Sequence, residues 1–249
     1  MSINEQARRG FQRGADAYER ARPAPPAAVM SWLTSELDLR AGRTVLDVGA
    51  GTGKLTRELV ATGATVLAVE PVPAMRAILE RTVPRATTLA GTAEDIPVGR
   101  ETIDAITAAS AFHWFDAPVA LAEFHRVLRP GGRLAVLWHR RSSEEPLHRA
   151  IDAIIGPYRR RTPSHHDGSW RRDVERSGLF AAAAETRLPF AQELDAAGLV
   201  DRVGSISFIS ALAEPEREAV LDRVRELAAG VAPPIRLGYV TEAYVFARR

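Results

Sequence analysis

No cysteine occurs in the 249 residues, which excludes disulfides, thiolate metal sites and a cysteine nucleophile together. Lysine is almost missing as well: Lys54 stands alone, and arginine carries the rest of the positive charge. No apolar run approaches the ~18 residues of a membrane span. The opening stretch MSINEQARRGFQRGADAYERAR likewise lacks the apolar segment of a secretory signal. These absences point to a soluble cytoplasmic protein with no membrane partner. Neither sign of charge dominates, since 33 basic against 31 acidic residues leave a formal charge of +2. The pI near 9.4 therefore records arginine buffering and argues little for a nucleic-acid partner. What remains is an ordinary globular composition, 46% hydrophobic and 26% charged, at a length that suits one large domain with modest additions.

From residue 44 short β-type runs alternate with helical segments. Thr44 to Val48 is a nearly continuous apolar strand, and 55–60 reads as a helix stopped by Gly63. Ala64 to Val69 is a second strand ending in Glu70-Pro71, followed by a helix with Met75, Ile78 and Leu79 at helical spacing. Ala86 to Ala90 and Ile103 to Ala108 are the third and fourth strands. A helix from Pro118 to Val127 meets Arg129-Pro130-Gly131-Gly132, read as a turn, and Arg133 to Trp138 is a fifth strand. This alternation implies parallel βαβ units with right-handed crossovers, an α/β sheet covered on both faces. Residues 1–40 read as an N-terminal helical lid, broken at Arg22-Pro23-Ala24-Pro25-Pro26, and 41–140 as the sheet core. Residues 141–249 mix helices near 145–156, 168–178 and 215–229 with a β-like run near 180–190. They end in a strand from Tyr239 to Phe246 that completes the sheet. Basic knots at Arg140-Arg141, Arg159-Arg160-Arg161 and Arg171-Arg172 read as solvated surface.

The chemistry concentrates at VLDVGAGTG, residues 45–53. Gly49, Gly51 and Gly53 let the chain turn tightly and approach a ligand without a Cβ in the way. In an open α/β sheet that turn lies where ligands bind, beyond the carboxyl ends of the strands. The third glycine comes one residue early for the G-x-G-x-x-G dinucleotide fingerprint. Asp47, just ahead of the turn, would also repel a pyrophosphate and favour a cation. Glu70, at the end of strand two, is placed to accept hydrogen bonds from both hydroxyls of a ribose. Gly91 to Pro97 follows strand three where a loop would border adenine, and strand four ends at Ala108-Ala109-Ser110. S-adenosylmethionine meets these requirements with its adenine, ribose diol, amino-acid tail and positive sulfur. An NAD-dependent oxidoreductase on the same frame is opposed by Asp47 and by the early glycine.

The stretches Val45 to Gly53, Val69-Glu70-Pro71, Gly91 to Pro97, Ala111-Phe112-His113-Trp114-Phe115-Asp116 and Val127 to Leu134 occur in order at the spacing of class I SAM-dependent methyltransferases. As a set they resemble that family. More narrowly they resemble the small-molecule group that includes trans-aconitate methyltransferase-like proteins, with looser similarity at Tyr18 to Pro23 and at Ser205 through Arg217. The resemblance implies a Rossmann-like, seven-stranded, mostly parallel sheet with its last strand antiparallel, and SAM as the cofactor. It also implies that Gly49, Ala50 and Gly51 line the methionine tail and ribose. Glu70 would hold the diol, Pro71 would flank adenine, Ala93 and Glu94 would meet the adenine edge, and Ser110 would lie near the methionyl amine. Thr92 stands where many members carry an acid, which leaves the adenine amino group to Glu94 or to backbone.

Methyl transfer to a carboxylate needs no base, whereas transfer to a hydroxyl or acidic carbon gains from one. His113, after strand four, is the candidate base, with packing beside Trp114 as its alternative role. Trp114 is a candidate wall for a small-molecule acceptor, and Tyr18 and Arg22 reach it from the lid. His165-His166-Asp167 lacks the spacing of a metal site. No Asn/Asp-Pro-Pro-aromatic segment follows strand four, which counts against a base-modifying DNA enzyme. A SAM-binding regulatory protein without catalysis, and an RNA-modifying enzyme using the arginine knots, stand as the other readings.

Overall fold

Short runs of Val, Leu, Ile and Ala can be buried on both faces only inside a helix-covered sheet, and the computed structural model places them there. It describes residues 5–142, 144–159, 162 and 168–249. The strands are β1 Thr44–Val48, β2 Thr65–Val69, β3 Thr87–Leu89, β4 Ile103–Ala109, β5 Leu128–Arg141, β6 Phe180–Leu194 and β7 Ile235–Arg248. They form one sheet in the order β3-β2-β1-β4-β5-β7-β6. β1 to β5 pair in parallel, and β7 runs antiparallel to both β5 and β6. The strand order reverses between β1 and β4, which opens a crevice beyond their carboxyl ends.

Helices α1 Glu5–Ala21 and α2 Ala27–Leu37 precede the sheet. α3 Lys54–Ala61, α4 Pro73–Thr82 and α5 Ala117–Val127 connect its first five strands. One face buries Val29, Leu33 and Leu37 of α2 with Leu59 of α3 against Val45, Ala135 and Val245. The other buries Leu121, Phe124 and Val127 of α5 against Ile106, Val136 and Phe246. Each such side chain contributes about 1.5–3 kcal/mol by leaving water, so these two layers hold the crevice rigid. After β5 come α6 Pro146–Ile155, α7 Ser169–Ser177, α8 Ala196–Gly204, α9 Ser207–Ser210 and α10 Glu214–Ala229. α6, α8 and α10 build a third apolar cluster of their own, with Ile151, Ile155, Leu199, Val203 and Val224 packed on Leu237 and Tyr239.

Three features differ from the sequence reading. The expected turn at Arg129 to Gly132 belongs to β5: the ladder to β4 steps from Ile103↔Leu128 to Ala105↔Arg133, so these residues loop out of the register as a bulge. The closing strands are longer than read, because β6 and β7 pair with each other from Phe180↔Arg248 to Leu194↔Ile235 well beyond the rest of the sheet. The region 196–210 was not read as helical, yet it forms α8 and α9, on which the N-terminal helix sits. That docking uses two helical glycines. A Cβ on Gly10 would lie against the Ser207 carbonyl oxygen, and one on Gly14 would come within 2.6 Å of Ser210 Oγ. The Ser210 hydroxyl donates to the Gly10 carbonyl at 2.7 Å, closing the seam. Gln192 on β6 donates to Ala21 O at 2.8 Å, and Arg20 pairs with Asp201 at 2.6 Å. α1 therefore spans the crevice between the sheet core and the C-terminal helices.

Candidate active site

β1 ends at Val48 and the chain turns through Gly49 (φ +66°), Gly51 (+59°) and Gly53 (+90°) before α3. The three glycines are not equivalent. Gly53 is needed for packing, since a Cβ there would strike Leu79 Cδ1 at 2.5 Å. A Cβ on Gly51 would meet only ordinary contacts, Met75 Sδ at 3.8 Å and Tyr18 Cε1 at 4.0 Å, so there the left-handed backbone rather than packing calls for glycine. The Gly51 N–H donates to Glu70 Oε2 at 2.8 Å, and the Val72 N–H donates to Oε1 at 2.8 Å. Glu70 is only 4% exposed, and burial pushes its carboxyl up to about 7 against these two bonds. Each oxygen retains a lone pair for a further donor.

Asp47 lies beneath the turn, 1% exposed. Its two oxygens accept from Thr56 Oγ1 at 2.7 Å and Thr107 Oγ1 at 2.8 Å, tying β1 to α3 and β4, and burial raises its carboxyl to about 6. The acid that opposed a pyrophosphate in the sequence thus also clamps the elements on which the loop rests. Ser110, the residue after β4, takes a left-handed conformation (φ 53°), uncommon outside glycine, while its N–H donates to Leu137 O at 2.8 Å.

Three adjoining clefts open at this level. The first, about 640 Å³, is bordered by Gly49, Gly51, Glu70, Pro71, Ala93 and Glu94, with Met75 and Phe115 as apolar walls. Glu94 Oε1 accepts the Asp116 N–H at 2.8 Å and so fixes this loop to the start of α5. The second, about 810 Å³, is bordered by Phe11, Tyr18, Arg22, His113, Trp114, Trp138, His139 and Phe208. The third touches Asp47, Gly49, Ala50, Lys54, Arg22 and Arg202. Tyr18 and Ser110 border all three. Every sequence-derived site residue therefore lies on one connected crevice.

His113 sits in a short 3-10 turn, Phe112–Trp114. Its Nδ1 accepts the Trp138 indole N–H at 3.2 Å, which places the proton of the neutral ring on Nε2. A base role at Nδ1 requires that bond to break; the ring as held is a donor. Trp114 meets Phe11 edge-on at 5.7 Å, so α1 supplies part of the wall of the second cleft. Arg22 Nε donates to Ser205 Oγ at 3.0 Å, and its guanidinium stacks 4.9 Å over Tyr18. Burial, with Arg202 close by, draws Arg22 down to about 9.

Sequence reading missed His139, Trp138, Phe11, Arg202 and Phe208. His139 lay one residue beyond the strand read as ending at Trp138, and the position of that end at the sheet's mouth was the available signal. The basic knots also separate on folding. Arg141 is mostly buried and pairs with Asp152 at 2.7 Å, while Arg140 pairs with Glu242 at 3.0 Å. Arg160, Arg161 and the His165-His166-Asp167 segment lie outside the described residues. Among the described residues no helix is long and apolar enough to cross a membrane.

The methyltransferase domain family matches residues 46–136, the segment that carries the glycine turn, Glu70 and His113. An uncharacterized methyltransferase of Mycobacterium tuberculosis is 39% identical over 220 residues, covering 88% of this chain and 85% of its own length. Another from Schizosaccharomyces pombe is 33% identical over 233 residues, 91% of each chain. Among solved structures, a candidate type II methyltransferase from Anaeromyxobacter dehalogenans superposes with a TM-score of 0.65 at 24% identity, over 92% of this chain and 97% of its own. A geranyl diphosphate methyltransferase solved in complex with SAM does so with a TM-score of 0.53 at 16% identity, over 89% of this chain and 85% of its own. The narrower trans-aconitate resemblance is not among these matches. Extended similarity to methyltransferases over most of the chain, on a sheet wound as 3-2-1-4-5-7-6, makes this protein a member of the class I SAM-dependent methyltransferases.

Proposed function

We propose that the protein transfers a methyl group from S-adenosylmethionine to a small-molecule acceptor, with the donor in the first and third clefts and the acceptor in the second. The residues suit the donor: a left-handed glycine at Gly51, a carboxylate at Glu70 with lone pairs to spare, an apolar slot and a buried acid. S-adenosylmethionine supplies a methyl carbon already activated by a cationic sulfur. Glu70 accepts from the ribose diol, and Pro71 and Ala93 flank adenine with Glu94 at its edge. Gly49, Ala50 and Gly51 run along the tail. Asp47 favours its positive charge, and Ser110 faces its amine.

For in-line displacement at an activated carbon, positioning and exclusion of water lower the barrier most. Tyr18 and Phe11 on α1 close the crevice from above, Trp114 walls the acceptor, and Arg22 stands beside it. His113 lines the same cleft and would help to orient the acceptor. The observation that carries this reading is that Tyr18 and Ser110 border donor and acceptor clefts alike, so one lid encloses both.

The test is transfer of labelled methyl from SAM across a panel of small carboxylic acids, phenols and alcohols, alongside calorimetric titration with SAH and NADH. Methylation of a panel member with SAH binding is expected. Tight NADH binding without SAH binding would end the reading.

A further inference from the structure

A strand at the edge of a sheet leaves one row of N–H and C=O groups without a partner, and that row can take up another strand. β6 is such an edge, since only β7 lies beside it. Which of its residues turn outward follows from Gly238 on β7. The Gly238 N–H donates to Glu145 Oε2 at 3.0 Å, and its carbonyl accepts from His148 Nε2 at 2.8 Å and from the Ser142 N–H at 3.3 Å. Those partners follow β5 in the chain, so Gly238 directs its backbone groups away from β6. Successive residues in an antiparallel strand alternate sides. Tyr239, Thr241 and Ala243 therefore direct theirs to β6, where Phe190, Leu188 and Thr186 stand opposite. Glu185, Arg187, Pro189, Ala191 and Glu193 are left facing outward. Pro189, which has no N–H to give, falls on an outward position, where a strand proline is tolerated. All of these residues are exposed, and their outward backbone groups have no partner among the described residues.

Charges, a proline and the bulge between Ala182 and Ala184 keep unselected strands off this edge, but their order admits one partner. An antiparallel second copy of β6 centred on Thr186 sets Glu185 opposite Arg187 of that copy, and Arg187 opposite its Glu185. Thr186 then meets Thr186, and Leu188 meets Ala184, a large side chain against a small one. Both Leu188 and Ala184 are half-buried at the rim of the apolar layer under α2, so the copy covers what one chain leaves open. Other registers lose this match. A centre at Arg187 sets that residue on itself, one at Pro189 sets Glu185 on Glu193, and one at Phe190 sets Glu185 on Asp195. The two central side chains are free to turn, because Glu185 is 60% exposed and Arg187 69% exposed, and each now meets only an exposed or distant partner, Arg171 at 2.5 Å and Glu242 at 3.5 Å. We propose that β6 is a self-association edge, through which two copies of this chain pair antiparallel about a twofold axis at Thr186 and join their sheets.

The experiment is analytical ultracentrifugation of the full chain over a concentration series. Wild type is expected to dimerise. Glu185→Arg and Arg187→Glu each set like charges across the axis, and each raises the dimer dissociation constant about tenfold or more. Mixed in equal amounts, the two variants pair with each other, because every central pair is then Arg against Glu. The variant carrying both changes associates as wild type does. Thermal unfolding and SAH affinity are followed alongside and stay at wild-type values, since neither residue lines the first three clefts. Should Arg187→Glu fold poorly beside Glu242, the weakening in Glu185→Arg and its reversal in the double variant carry the test. A wild type that is monomeric at every concentration overturns the proposal. So does a dimer that the single variants leave unchanged, or one that they weaken and neither the mixture nor the double variant restores.

Discussion

The clefts proposed for donor and acceptor share Tyr18 of α1 and Ser110 as a border but are built from different material. The cleft proposed for the donor is made mainly from strand ends and the turns that follow them, within residues 47–115, and backbone groups shape it: the Gly51 and Val72 N–H groups hold the Glu70 carboxylate, and Gly49, Gly51 and Gly53 turn the chain through left-handed conformations. The acceptor cleft is made of side chains brought from α1, the 3-10 turn after β4, the end of β5 and α9. A backbone-made site is specified by local sequence and a standard winding. A side-chain-made site is specified by how distant elements dock, so one scaffold keeps its donor and changes its acceptor.

That contrast breaks at different places with different severity. The largest effect is expected for Glu70→Ala, which removes the proposed acceptor of the ribose hydroxyls: SAH affinity falls about 100-fold, with circular dichroism unchanged. Unaltered affinity by calorimetry would withdraw the ribose assignment. Gly10→Val strikes the other side. Its side chain is driven against Ser207, so α1 lifts from α9, turnover falls about tenfold, and protease cutting within α1 speeds up more than the global unfolding temperature drops. If α1 remains protected, the glycine seam does not hold the lid. For His113→Ala the expectation is a fall of roughly tenfold in turnover with SAH affinity changed less than about threefold. Wild-type turnover would leave His113 as packing for Trp138.

The smallest effect is a proton count. Glu70 is raised to about 7 by burial, and hydroxyl donors together with a nearby sulfonium favour its ionised form. SAH binding lacks the sulfonium yet keeps the ribose donors, so roughly half a proton is released near pH 6.5. Calorimetry in buffers of differing ionisation enthalpy measures it, and Glu70→Gln should abolish it. The sign for stability runs oppositely to a paired carboxylate. Because the folded-state pKa values of Glu70 and Asp47 lie above the unfolded ones, the native state holds extra protons between about pH 4 and 7. In that window their contribution to ligand-free stability declines as pH rises. A shallower decline in Glu70→Gln than in wild type, with the part due to Asp47 remaining below about pH 6, would assign the difference to Glu70.

The first five strands and the glycine turn with Glu70 beside it were legible because each signal is local. Val45 to Val48 alternates with nothing polar but Asp47, the glycines follow at once, and Glu70 ends the next strand. Even so, the sequence could not separate the roles of the glycines: a Cβ on Gly53 would strike Leu79, while one on Gly51 would meet only ordinary contacts, a difference set by where α4 lies. Arg129 to Gly132 was misjudged because turn chemistry and a β-bulge use the same residues. α8 and α9 were missed because Ser and Gly interrupt their short apolar periodicity, and packing against α1 and α10 stabilises them instead.

Residue order alone decided that a parallel α/β sheet would form, that its first turn would suit a cationic nucleoside rather than a pyrophosphate, and that no thiol would take part. Those outcomes follow from side-chain period, backbone freedom and charge within a few residues of one another. Only folding decided that Arg22 and Arg202 would border one cleft with no carboxylate partner among the described residues, that His113 would spend its acceptor on Trp138, and that Gly10 would admit Ser207. Each of those depends on elements far apart in the chain, whose approach is governed by packing and burial summed over the whole molecule.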